Sequence, residues 1–221
     1  MKPGTTDNTI EEAVMLELEW DPEVNAGHIA VSAKDGAVVL TGYVPSYAER
    51  RAAVRAAERV YGVRAVADEL AVKFADASVC SDAEIAETIS RQLRANTVVP
   101  DTVKIEVRDG HVTLRGTVEF SHQRDAAEHP IDLVRGVYGI RNLIAIKPPT
   151  KVKAADIERR VHEAIGRMAD LDARSIGVAV RNGTVHLQGH VHSLAERRTA
   201  ERAAASAPGV KKVNNDIDVT P

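Results

Sequence analysis

The sequence predicts an α+β protein made of three tandem αββαβ modules, because one phrase occurs three times along the chain. The phrase reads KDGAVVLTGYV at residues 34–44, RDGHVTLRGTV at 108–118 and RNGTVHLQGHV at 181–191. In every copy a second glycine follows six residues after the first, and a Gly-Val pair begins 26 residues after the first glycine. A period conserved at several offsets indicates repeated structural units.

The phrase itself predicts a β-hairpin with a two-residue turn. The turn dipeptides are Asp35-Gly36, Asp109-Gly110 and Asn182-Gly183. Asp-Gly and Asn-Gly favour such turns because both central residues need a positive φ. A loop of this length sets Val31 opposite Leu40 and Ala33 opposite Val38, so the apolar residues of the two strands share one face. The glycines therefore serve backbone geometry and the valines serve the core.

Two helices and a last strand complete each module. Before each hairpin, apolar residues recur every four positions and predict an amphipathic helix, at Ile10, Val14 and Leu18, at Ile85, Ile89 and Leu93, and at Ile157, Val161 and Ile165. Ser81 and Glu84 have the spacing of a capping box. After each hairpin, the ranges 47–60, 122–134 and 194–207 predict a second helix, which Pro130 should interrupt in the second copy. A short apolar strand then follows.

The predicted modules span residues 8–74, 82–148 and 155–221. In each module, the crossover through the second helix lets the last strand run parallel to one hairpin strand. The result is a small three-stranded mixed sheet with two helices packed on one face. Residues 73–82 and 147–156 form the joints between the modules.

This order of residues resembles the BON domain, a module named for bacterial osmotically inducible and nodulation proteins. The resemblance rests on D/N-G-x-V-x-L-x-G-x-V, a following helix that opens near Glu-Arg, and a later G-V-x-x-V. It covers nearly the whole chain as three copies. It implies the αββαβ fold, a link to osmotic or envelope stress, and binding to phospholipid surfaces or to other proteins. It implies no catalytic residues.

Composition and motifs favour a non-enzymatic protein without a cofactor. No phosphate-binding loop, dinucleotide fingerprint or zinc-protease motif occurs. Cys80 is the single cysteine, which excludes an intrachain disulfide and suits a reducing compartment. The first residues lack the apolar run of a secretory signal, and no run has the length of a membrane span. The sequence therefore predicts a cytoplasmic protein, with a periplasmic location left open for a mature or trimmed form.

Three histidines in the third module, His186, His190 and His192, would project to one side of a strand. This spacing makes a metal site geometrically conceivable. The matching positions of the first module are Val39, Tyr43 and Pro45, and those of the second are Thr113, Thr117 and Glu119. A solvated outer sheet face explains the pattern better, so we expect no metal site.

Charge is distributed unevenly along the chain. Residues 1–76 carry 8 basic and 13 acidic side chains (net −5), residues 77–149 carry 9 and 10 (net −1), and residues 150–221 carry 12 and 9 (net +3). Basic pairs of the third module predict an anionic-surface site: Arg159, Arg160, Arg197, Arg198, Lys211 and Lys212. The acidic chain as a whole argues against nucleic acid as a partner. Opposite charge on the first and third modules also predicts self-association between copies of the chain.

Two functional hypotheses follow. In the first, the modules engage anionic phospholipid or another acidic surface, with several weak contacts acting together. In the second, the protein is an interaction protein or holdase-type chaperone that uses the open sheet faces, and a small ligand or cation is a further alternative. Packing between modules through the open faces should involve residues among Trp20, Tyr43, Tyr47 and Tyr61.

Overall fold

A computed structural model of the chain describes residues 6–74, 80–149, 152–168 and 173–220. Within those ranges there are six α-helices: Asp7–Trp20 (α1), Tyr47–Arg59 (α2), Asp82–Ala95 (α3), Ser121–Glu128 (α4), Ala154–Gly166 (α5) and Leu194–Ala205 (α6). There are nine strands: Ile29–Lys34 (β1), Ala37–Val44 (β2), Ala65–Val72 (β3), Lys104–Arg108 (β4), His111–Val118 (β5), Gly139–Ile146 (β6), Ile176–Arg181 (β7), Thr184–Val191 (β8) and Lys212–Val219 (β9). Residues 75–79 and 150–151, in the two joints, lie outside the description, as do residues 169–172 and Pro221.

The elements form three modules of identical αββαβ order, which confirms the predicted fold class. Module 1 comprises α1 to β3, module 2 comprises α3 to β6, and module 3 comprises α5 to β9. Each has a three-stranded sheet in which the hairpin is antiparallel and the last strand pairs in parallel with the second. The strand crossover through a helix makes this parallel pairing possible.

The hairpins have the predicted register and turn geometry. Val31 faces Leu40 and Ala33 faces Val38. Turn residues have positive φ in all three copies: Asp35 (51°), Gly36 (77°), Asp109 (49°), Gly110 (70°), Asn182 (52°) and Gly183 (80°). The second glycine of each phrase has a different role, because in module 3 a β-carbon on Gly189 would collide with the backbone carbonyl of Ser175.

Each module has its own apolar core under its helices. Val14 and Leu40 are fully buried in module 1, as are Ile89 and Leu114 in module 2. The predicted capping box between Ser81 and Glu84 is present at the start of α3. The predicted effect of Pro130 is also present, since α4 ends at Glu128 and continues as the 3₁₀ helix His129–Leu133.

The modules contact one another through their second helices. Helix α2 of module 1 packs against α6 of module 3 and against the 3₁₀ helix His129–Leu133 of module 2. The expectation that the open sheet faces join the modules is wrong, because a face lined with small and polar side chains offers less apolar area than the helix edges. Two of the four aromatic residues considered, Tyr47 and Tyr61, do contact another module.

Candidate binding surfaces

The six basic residues predicted to bind anions lie at three places in module 3. Arg159 and Arg160 are exposed on α5, Arg197 and Arg198 lie in the first half of α6, and Lys211 and Lys212 are exposed where the chain enters β9. Adjacent residues on a helix point about 100° apart, so the two members of a pair meet different surroundings. The consequence is clearest on α6.

Both arginines of α6 are engaged by groups of the protein itself, although about half of the Arg198 side chain is exposed. The Arg197 guanidinium donates to the backbone carbonyl of Asn215 at 2.7 Å. The Arg198 guanidinium lies 2.6 Å from the carboxylate of Glu58 in module 1. These contacts leave the two side chains less available to an external anion than the sequence alone indicates.

The arginines of α5 line a shallow recess at the end of α6. Its volume is about 390 Å³, and its lining includes three arginines and one acidic residue, together with the segment Ser206–Pro208: Arg159, Arg160, Arg167 and Glu163. Arg159 is paired on its own helix with Glu163 at 2.8 Å and with Asp156 at 3.9 Å. Arg167 was missed in the sequence reasoning, although its spacing of seven residues from Arg160 places the two on the same side of a helix.

A second set of residues missed from sequence holds the last strand to the second helix in every module. Asp68, Asn142 and Asn215 occupy equivalent positions, and the side-chain oxygen of each accepts from the backbone N–H two residues later. The Asn215 amide also donates to the carbonyl of Arg197 at 3.1 Å. Recurrence of Asp or Asn at a fixed offset in each repeat was the available signal.

Module 1 contacts module 2 and module 3 through charged and apolar side chains. Arg51 of α2 lies 2.5 Å from Glu128 and 3.2 Å from Asp132 of module 2. Tyr47 packs against the core of module 2, and Leu194 of module 3 packs against the core of module 1.

Burial perturbs the carboxyl groups at both contacts between modules. It raises the pKa of the Glu58 carboxyl above its ordinary value, although the guanidinium groups of Arg198 and Arg55 lower this pKa in part. Burial likewise raises the pKa of Asp132, with Arg51 opposing the rise and Glu128 adding to it. Both groups thus lose hydration that their ion pairs only partly replace.

The three histidines of module 3 have separate surroundings. The Nδ1 atom of His186 is 3.5 Å from the amide nitrogen of Asn214. His190 lines an open recess with Asp216 and Asp218 on the outer sheet face. His192 turns away and stacks on Tyr61 of module 1, with ring centroids 5.7 Å apart. Across the part of the chain that is described, no cluster of three or more His, Cys, Asp or Glu side chains is placed to hold a metal ion.

The outer face of module 1 carries a small aromatic cluster. Tyr43 stacks on His28 with ring centroids 4.4 Å apart, and the Lys73 ammonium lies 4.5 Å from the centre of the Tyr43 ring. All three residues belong to the same module. Trp20 makes no comparable packing contact, since 78% of it is exposed at the end of α1.

Comparisons with known proteins agree with the repeat. The BON domain family model matches residues 6–73, 81–148 and 153–221. Osmotically-inducible protein Y of Escherichia coli is 34% identical over 146 residues, covering 64% of this chain and 73% of that protein. The outer membrane lipoprotein DolP of Haemophilus influenzae and a 21 kDa hemolysin of Actinobacillus pleuropneumoniae are each 28% identical over 144 residues, covering 63% of this chain and 72% of each relative.

These relatives bear on two of the predictions made from sequence. None of the three names indicates a catalytic family, and one names an osmotically induced protein. The prediction of a cytoplasmic protein gains no support, because one relative is named an outer membrane lipoprotein. Among the described helices, none combines the length and apolarity needed to cross a bilayer.

Proposed function

The chain belongs to the BON domain family, and from that premise we propose that it is a non-enzymatic, stress-related binding protein whose third module engages anionic phospholipid. The observation that carries the proposal is the recess of α5, where Arg159, Arg160 and Arg167 converge beside Ser206–Pro208. The chain continues from Pro208 to the exposed Lys211 and Lys212. Arg197 and Arg198 are omitted from this surface, because neither lines the recess.

The uneven charge supports an oriented approach to an acidic surface. Residues 150–221 have a net charge of +3, whereas residues 1–76 have a net charge of −5. Each Lys or Arg held near an anionic bilayer contributes about 1 kcal/mol, and the contribution decays within a Debye length. The surface therefore supports weak, salt-sensitive adhesion with module 3 facing the lipid.

Vesicle cosedimentation across ionic strength tests the proposal. The protein should bind vesicles that contain phosphatidylglycerol, release them as salt is raised, and ignore vesicles of phosphatidylcholine alone. The variant Arg160→Gln/Arg167→Gln should bind several-fold more weakly. The matched control Arg91→Gln/Arg94→Gln removes the same charge from exposed positions of α3 in module 2. Equal loss in the two variants would show that only net charge matters, and the site would be abandoned.

A protein partner is the second candidate, favoured by an apolar patch on α1. Leu16 and Trp20, one helical turn apart, are 55% and 78% exposed. The acidic residues around them on α1, such as Glu12 and Glu19, disfavour an anionic bilayer there. If this patch binds apolar segments of other proteins, Leu16→Ala/Trp20→Ala should reduce suppression of client aggregation and leave vesicle binding unchanged. Unchanged suppression in the folded variant would remove this candidate.

A further inference from the structure

The two contacts between modules use equivalent residues of the repeat. Equivalent positions are found from the first glycine of each phrase, which is Gly36, Gly110 or Gly183. A residue of module 1 therefore corresponds to the residue 74 positions later in module 2 (110 − 36) and 147 positions later in module 3 (183 − 36). Arg51 is thus equivalent to Arg198, and Glu58 is equivalent to Asp132. Arg51 pairs with Asp132, and Arg198 pairs with Glu58. One interface therefore occurs twice, from module 3 to module 1 and from module 1 to module 2.

The apolar part of the interface repeats in the same way. Tyr47 and Leu194 are equivalent, since 47 + 147 = 194. Tyr47 of module 1 packs against the core of module 2, and Leu194 of module 3 packs against the core of module 1. We name the surface around Tyr47 and Arg51, or around Leu194 and Arg198, the donor face. The surface around Glu58 or Asp132 is the acceptor face.

The donor and acceptor contacts use different residues of one module, Arg51 and, about two turns later on the same helix, Glu58. The interface is therefore head-to-tail. Module 1 uses both faces at once, through Arg51 and Glu58. Repeated head-to-tail contacts either close into a ring or continue as an open array. Among the described elements, the extensive contacts between modules are those of α2 with α6 and with the 3₁₀ helix of module 2, and no pair of elements from modules 2 and 3 packs as extensively. The three modules thus form an open array in the order 3–1–2.

The two unused faces carry different residues at the decisive positions. At the donor positions of module 2, the buried Ser121 stands where Tyr47 and Leu194 stand elsewhere, and the exposed Asp125 replaces the arginine. On the free acceptor face of module 3, Ala205 replaces the carboxylate, since 58 + 147 = 205. The free donor face thus lacks its apolar anchor and has the wrong sign of charge. Terminal units of repeat proteins are commonly altered in this way to prevent further stacking.

We propose that one head-to-tail interface assembles the three modules, and that Ser121, Asp125 and Ala205 stop this assembly at the ends of a single chain. An apolar residue and an arginine specify the donor face, and a buried carboxylate specifies the acceptor face. The partner that fits a restored end is a second copy of this chain. The charge complementarity of modules 1 and 3 then acts within one chain and not between copies. This inference is independent of the anionic surface, because it uses different residues.

A mixing experiment with two full-length variants tests the proposal. Ser121→Leu/Asp125→Arg restores a donor face on module 2, and Ala205→Glu restores an acceptor face on module 3. The unaltered protein and each variant alone should sediment as monomers of 23.8 kDa. An equimolar mixture should form a 1:1 complex of twice that mass. Replacing Ala205→Glu by Ala205→Arg is the matched control and should give no complex.

Two results would overturn the proposal. One is a folded, equimolar mixture that stays monomeric at high concentration. The other is self-association of the unaltered chain that persists in the Ala205→Arg variant. Charge reversal inside the chain provides a test that does not depend on the restored faces. Glu58→Lys should detach module 3 and increase the radius of gyration in solution scattering, and adding Arg198→Glu should restore compactness. A radius unchanged by Glu58→Lys would also refute the interface.

Discussion

The carboxylate of Glu58 in module 1 lies 2.6 Å from the guanidinium of Arg198 in module 3, and its side chain is only 8% exposed. The pair joins residues 140 positions apart (198 − 58) and lies where α2 packs on α6. A buried carboxylate that loses its partner is left without compensation for lost hydration. This contact is therefore the most sensitive point for the relative placement of the two modules.

We expect Arg198→Ala to lower the free energy of unfolding by about 1–3 kcal/mol, because it leaves the Glu58 carboxylate buried without its partner. Glu58→Gln removes the charge that needs a partner, so the double variant should be less destabilised than the sum of the two single changes. Urea unfolding of the unaltered protein, the two single variants and the double variant completes this double-mutant cycle. Strict additivity would mean that the ion pair is not coupled in solution.

The raised pKa of Glu58 sets the sign of a pH effect. A carboxyl whose pKa is raised by folding holds its proton more tightly in the folded chain. Its favourable contribution is complete below its ordinary pKa and is lost as the pH rises through the raised value. As the pH rises through this range, the free energy of unfolding of Glu58→Gln should therefore increase relative to that of the unaltered protein. Unfolding measured at a series of pH values gives the difference, and a flat difference would contradict the assignment.

Tyr47→Ala should weaken the contact between module 2 and module 1, because Tyr47 packs against the core of module 2. The loss of a half-buried aromatic side chain should cost about 2–3 kcal/mol in urea unfolding. Trp20→Ala is the control, since Trp20 is exposed and its removal should change stability by less than about 0.5 kcal/mol. Similar costs for both variants would show that Tyr47 does not form this contact.

Gly189→Ala should destabilise module 3 by at least about 2 kcal/mol, because Gly189 has a φ of 134° and its added β-carbon would meet the Ser175 carbonyl. Gly177 lies on the neighbouring strand, where an added β-carbon would make an ordinary contact of 3.6 Å with the Gln188 carbonyl. Gly177→Ala should therefore be tolerated. Thermal unfolding compares the two variants, and equal effects would exclude the backbone explanation.

Asn215→Ala should cost about 1–3 kcal/mol, since it removes a donor to Arg197 and an acceptor for the N–H of Ile217. Asn214→Ala is the adjacent control, because the Asn214 amide makes only a long 3.5 Å approach to His186 on the neighbouring strand. Asp68→Asn should cost less, about 1 kcal/mol or below, because it keeps an oxygen for the backbone N–H of Leu70 but removes the ion pair with Arg50 at 2.8 Å. Chemical unfolding compares the free energies of unfolding of the three variants. A larger loss for Asn214→Ala than for Asn215→Ala would show that Asn215 does not hold β9 to α6.

Local features of the fold were predictable because each depends on residues close together in sequence. The hairpin register follows from the two-residue turn at Asp35-Gly36, and the break in the second helix of module 2 follows from Pro130. The candidate site was less predictable. Arg197 and Arg198 look like any exposed basic pair until the strand beside α6 and the neighbouring module are in place. Arg167 was overlooked because its group forms only when α5 meets the end of α6.

The sequence by itself determined the repeated module, its sheet order and its turns, because glycine φ preference, strand alternation and helical spacing act over a few residues. Only the tertiary structure decided which surfaces join the modules, in what order, and which arginines are paired with another module. The physical reason is that Arg51, Arg198 and Asp125 occupy equivalent positions on a polar helix side. Whether such a residue is solvated or paired depends on a distant module that local sequence does not place.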